Sequence, residues 1–128
     1  MGKKRKLRVV LDLRHVNMRL KDLNTNGIVP NIWSILGDFH SAKYVSTIDL
    51  HSGFWHFPLS EKAKKLTAFA FEDITLQCTR MPQGLRISSA VMQSKMRQFI
   101  LQNGLMSTSV YIDNIIFRLQ RLYYIRKD

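Results

Sequence analysis

Two carboxylates in this chain stand in stretches where an acid is costly. Asp49 ends a run rich in β-formers (Tyr44, Val45, Thr47, Ile48), and Asp113 interrupts an apolar run over 109–117. An acid in such surroundings is destabilising unless a cation or a metal offsets its charge. Two strand-end acids brought together repel each other, and a hard divalent cation bound by both removes that conflict. The plainer reading is that Asp113 and Asn114 build a turn while Asp49 ends a strand, and spacing alone favours it.

The rest of the chain decides what could bring them together. Periodicity predicts strands over 9–13, 43–50, 67–71 and 75–79, with a hairpin turn at Glu72-Asp73. A short helix is expected after Asn31, with Ile32, Ile35, Leu36 and Phe39 on one face. Residues 24–30 and 80–87 read as loops and 60–65 as a polar turn. The longest helix is expected over 88–101, with Met92, Met96, Phe99 and Ile100 facing inward and Gly104 just past its end. The run 109–117 reads as a hairpin with Asp113 and Asn114 at its tip. Strands and helices mix without regular βαβ alternation, so the fold class is α+β.

Composition narrows the chemistry. Twenty Lys and Arg against nine Asp and Glu give 128 residues a formal charge of +11, which calls for a polyanionic partner. One cysteine, Cys78, excludes an intrachain disulfide and suits a reducing, intracellular setting. No run approaches the roughly 18 apolar residues of a membrane helix, so no membrane partner is expected. Cys78 and the histidines (His15, His40, His51, His56) lack zinc-ligand spacing, and no GxxxxGK loop or nucleophile elbow is present.

Four motifs, in order, resemble the reverse transcriptase domain of retroviruses and long-terminal-repeat retrotransposons, over roughly 7–117. Arg8-Val9-Val10-Leu11-Asp12-Leu13-Arg14-His15-Val16-Asn17 is like the fingers segment, where Arg8 would contact the triphosphate. Ser46 to Leu59 is similar to the first palm motif. It implies Asp49 as metal ligand, the Leu50 carbonyl as a further oxygen, and Phe54 as the ring that screens the sugar's 2′ position. Arg80-Met81-Pro82-Gln83-Gly84-Leu85, with Ser88-Ser89-Ala90 and Gln93, resembles the next motif. There Gln83 would support the nucleotide, and Gly84 would let backbone come close. Val110-Tyr111-Ile112-Asp113-Asn114-Ile115-Ile116 resembles the Tyr-x-Asp-Asp hairpin, with Tyr111 and Asp113 in place.

The resemblance implies a polymerase palm, a small antiparallel sheet backed by helices, with partial fingers and no thumb. The chain would then be one truncated domain, fingers-like at about 1–43 and 60–80 and palm at about 44–59 and 81–117, with 118–128 unassigned. It implies RNA-directed DNA synthesis with two Mg2+ ions (or Mn2+), deoxynucleoside triphosphates, and an RNA or DNA template with primer. Two residues depart from the family pattern. Asn114 replaces the second aspartate and Ser89 a proline. The missing charge at Asn114 and the missing thumb together imply impaired catalysis, and an inactive nucleic-acid-binding remnant is the alternative. A marginally folded chain with uncovered apolar surface is a third possibility.

Overall fold

The computed structural model describes residues 10–20, 28–37 and 39–119. Among the described residues the α-helices and strands follow in this order: α1 (Arg14–Arg19), α2 (Ile32–Gly37), β1 (Tyr44–Asp49), α3 (Glu61–Leu66), β2 (Phe69–Phe71), β3 (Ile74–Leu76), α4 (Ser88–Gln102), β4 (Thr108–Tyr111) and β5 (Asn114–Leu119), with a 3-10 turn at Gly53–His56 between β1 and α3. β1, β5 and β4 form an antiparallel sheet in that order, and β2 and β3 make a separate hairpin.

The sheet packs on α4, because both present apolar side chains at the right period. Met92, Met96 and Ile100 of the helix meet Val110 and Ile115 of the strands, and Leu50, Phe54, Phe57, Leu105, Ile112 and Phe117 close around them. Phe99 does not join them; it is half exposed at the edge of that face, against expectation.

The C-terminus of α4 is stopped as its glycine predicts. Gly104 sits at φ +64°, its N–H donates to the Leu101 carbonyl, and the Leu105 N–H donates to that of Ile100. Leu105 then returns to the core.

Three local expectations are revised. Residues 10–13 form no strand; Val10 is exposed with no ladder to join, and the chain enters α1 at Arg14 instead. There the exposed Asp12 carboxylate accepts from the Arg14 N–H (3.1 Å) and pairs with its guanidinium (2.6 Å), which lowers the Asp12 pKa from 3.8 to about 2. The polar segment 60–65 is helical rather than a turn. The Ser60 hydroxyl caps α3 by accepting from the Ala63 N–H, and Lys64 pairs with Glu61 one turn back (2.6 Å). Finally, β5 runs on to Leu119, so Arg118 and Leu119 belong to the sheet, opposite Val45 and Tyr44.

Candidate active site

The 109–117 hairpin exists, but its tip is one residue earlier than composition suggests. Tyr111 and Asn114 form the closing pair, and the two central residues are Ile112 and Asp113. Ile112 sits at φ +57°, a left-handed conformation unusual for a β-branched side chain. Only the first central residue has positive φ, the sign pattern of a type II′ turn, where glycine is the usual occupant.

Gln93 of α4 offsets this strain. It is buried, its Oε1 accepts from the Ile112 N–H at 2.6 Å, and its Nε2 donates to the Val110 carbonyl at 2.9 Å. One side chain thus binds backbone on both sides of Tyr111. Sequence reading placed Gln93 in a motif without a role. The available signal was a lone amide among Met92 and Met96 on an inward face, since a buried amide must find partners.

The register carries the first carboxylate to this turn. Asp49 pairs across the sheet with Asn114, and the Leu50 N–H donates to the Asp113 carbonyl at 3.1 Å. Side chains of directly paired residues share a sheet face, so Asp49, Asn114 and Tyr111 lie on one side. Ile48, Ile115 and Val110 lie on the other, toward α4. Asp49 is exposed and Asp113 half-buried. Asp49 therefore avoids the burial that its apolar run suggested.

Gly53 allows the close fit beneath the turn. A Cβ there would lie 2.6 Å from Met92 Cε and 3.4 Å from Asp113 Cβ. The Leu50 carbonyl accepts from the Gly53 N–H at 3.2 Å, which leaves it one further lone pair. Phe54, next in the same 3-10 turn (Gly53–His56), is half-buried and packs on the core edge.

Asn114 brings an amide to the turn. The Asn114 amide donates from Nδ2 to Asp113 Oδ1 at 3.3 Å, placing a donor where a carboxylate would be an acceptor. Among the described residues neither Asp49 nor Asp113 pairs with a cation, and no three His, Cys, Asp or Glu cluster. Two carboxylates and one backbone carbonyl are hard oxygen donors of the kind Mg2+ prefers, so the donor chemistry fits a divalent ion.

The 80–87 loop is held by hydrogen bonds to neighbouring segments. The Met81 N–H donates to the Phe57 carbonyl at 2.9 Å, and the Ser88 hydroxyl to the Pro82 carbonyl at 3.1 Å. Gln83 is exposed and lines a cavity of about 450 Å³ with Trp55 and Pro82, while Gly84 takes φ +94°. Asn17 holds the loop from α1: its amide donates to the Gly84 carbonyl (2.8 Å) and its Oδ1 accepts from the Arg86 N–H (2.9 Å). Arg8 lies outside the described residues.

Similarity to known proteins identifies the family. The profile of the family "Reverse transcriptase (RNA-dependent DNA polymerase)" matches residues 2–123. The retrovirus-related Pol polyprotein from transposon 412 of Drosophila melanogaster is 34% identical over 115 residues, 88% of this chain and 9% of that polyprotein. The Pro-Pol polyprotein of Simian foamy virus type 1 is 30% identical over 110 residues, covering 86% and 9%. The chain therefore spans about a tenth of these relatives' length.

Among solved structures, Prototype Foamy Virus protease-reverse transcriptase superposes with a TM-score of 0.74 at 28% identity, over 89% of this chain and 15% of that one. The foamy viral enzyme in complex with an RNA/DNA hybrid gives 0.73 at 31%, over 88% and 15%. Sequence and fold thus agree over nearly the whole chain, and it belongs to the reverse transcriptase (RNA-dependent DNA polymerase) family.

Proposed function

We propose that this chain carries the metal-dependent centre of an RNA-directed DNA polymerase, and that Asn114 lowers its turnover. The observation that carries this reading is the register setting Asp49 opposite Asn114 and beside Asp113, on the sheet face turned away from α4. Asp49, Asp113 and the Leu50 carbonyl would hold Mg2+, with Mn2+ as a substitute. Two such ions, held by these residues, would supply Lewis-acid activation of the primer 3′-hydroxyl and neutralisation of charge on the triphosphate and leaving pyrophosphate. Around them, Phe54 would screen the sugar's 2′ position, Gln83 and Gly84 would support the deoxynucleotide, and Arg8 would contact its triphosphate. Tyr111 would sit beside the incoming nucleotide, on the face it shares with Asp49. In this scheme 44–59 and 81–117 act as palm, 1–43 and 60–80 as fingers, and the basic surface holds the RNA or DNA template and its primer.

Asn114 sets the expected size of the defect. A unit charge about 4 Å from a cation is worth about 4 kcal/mol at an effective dielectric near 20. If half of that is felt in the transition state, the rate falls more than about tenfold. In primer extension with Mg2+ or Mn2+, Asn114→Asp should raise the rate by at least about tenfold. Asp49→Ala in that background should abolish it. An Asn114→Asp chain that gains nothing, or that survives loss of Asp49, overturns the assignment. The net charge of +11 favours a second reading, a catalytically silent chain that still binds nucleic acid.

A further inference from the structure

Two side chains of α4 are polar and buried, and both spend their hydrogen bonds on the backbone of other segments. Ser88 is 2% exposed and donates to the Pro82 carbonyl; Gln93 is 3% exposed and binds the hairpin on both sides of Tyr111. The Ile112 N–H can only donate and the Val110 carbonyl can only accept. A single side chain that satisfies both must therefore offer one acceptor and one donor. An amide supplies the two; an ionised carboxylate or an apolar chain does not.

The clamp bears on Asp113 and not on Asp49. Asp49 takes its place from the β1–β5 register. Asp113 follows directly on Ile112, whose φ of +57° is unfavourable for a β-branched residue and would relax if its N–H were released. On its other side, the Asp113 carbonyl accepts from the Leu50 N–H at 3.1 Å, and its Cβ lies close over Gly53. The backbone that aims this carboxylate is thus held by α4 before it and by the end of β1 after it. We propose that Gln93 is a positioning residue for the metal centre. By keeping Ile112 in the left-handed conformation, it sets the Asp113 carboxylate beside Asp49. The inference rests on the reading of Asp49 and Asp113 as ligands of a divalent cation, and Gln93 acts through Ile112 rather than as a ligand.

Binding of Mn2+ to the whole chain, followed by electron paramagnetic resonance of the free ion, tests this without turnover. Gln93→Leu should weaken binding about tenfold or more, the usual size for a group that orients a ligand. Ile112→Gly in that background should restore it, because glycine takes positive φ without a clamp, even though a side chain packed on the core is lost. Ser88→Ala, which breaks the other buried hydrogen bond of α4, should lower the urea midpoint and leave Mn2+ affinity unchanged. Gln93→Met, equally long and without an amide, gives the same comparison if Gln93→Leu does not fold. Mn2+ binding that is lost in Asp49→Ala but unchanged in Gln93→Leu would overturn this inference alone. So would a Gln93→Leu defect that Ile112→Gly leaves in place, or one that Ser88→Ala reproduces. Mn2+ binding indifferent to Asp49→Ala would overturn the metal reading and the inference with it.

Discussion

Gln93 shows how one side chain can govern a site it does not enter. Its amide satisfies the Ile112 N–H and the Val110 carbonyl, and it does so from inside the core. Gln93→Leu keeps much of the volume but leaves both backbone groups without that partner. The expected cost is about 1–3 kcal/mol, read as a lower midpoint in urea unfolding. Because Ile112 is held at positive φ, release of the clamp should also move the Asp113 backbone resonances in a nitrogen–proton correlation spectrum. Asp12 offers a pH-dependent counterpart at the surface. Its folded pKa of about 2 lies below the ordinary 3.8, owing to the hydrogen bonds and charge of Arg14. A depressed carboxylate contributes stability above its unfolded pKa and loses it as pH falls through the folded one. The Asp12 carboxyl carbon should therefore titrate near pH 2, and Arg14→Ala should return its midpoint toward 3.8.

At the scale of elements, the α1 helix depends on tertiary support. It has only six residues, no side-chain N-cap and no buried side chain, far below the length at which a helix persists alone. Asn17 bridges it to the Gly84 carbonyl and the Arg86 N–H, and the Arg86 guanidinium donates to the Leu20 carbonyl at 2.7 Å. Asn17→Ala should cost about 1 kcal/mol or more and speed amide exchange in both 14–19 and 84–86. Exchange that rises in α1 alone would refute the coupling. Expectation and structure diverged for elements of this kind. The strand expected over 9–13 rested on β-branched Val9, which lies outside the described residues, and Val10, which has no neighbouring strand to pair with among them, while 60–65 lacks an apolar run but has Ser60 and a Glu61–Lys64 pair. β1, α4 and the β4–β5 hairpin were legible, because each has a long apolar pattern of one period.

For the whole molecule, charge is the dominant property. A surplus of +11 should make nucleic-acid binding steeply salt-dependent. Neutralising each duplex phosphate adds about −0.9 to the slope of log K against log salt, so a footprint of several phosphates should give a slope steeper than about −3. A gel-shift series across salt concentration checks this, and affinity indifferent to salt would contradict phosphate contacts. The sequence alone established the α+β class, the long helix and the hairpin, and the four ordered motifs that single out Asp49, Asp113 and Asn114. These are legible because propensity, period and motif spacing are properties of neighbouring residues. Tertiary structure alone decided that Asp49 faces Asn114 and that Ile112 rather than Asn114 takes the turn. It also decided that Gly53 makes room beneath Asp113 and that Gln93 clamps the backbone around Tyr111. Those outcomes depend on strand register and on hydrogen bonds between distant segments, which form only when the whole core packs at once.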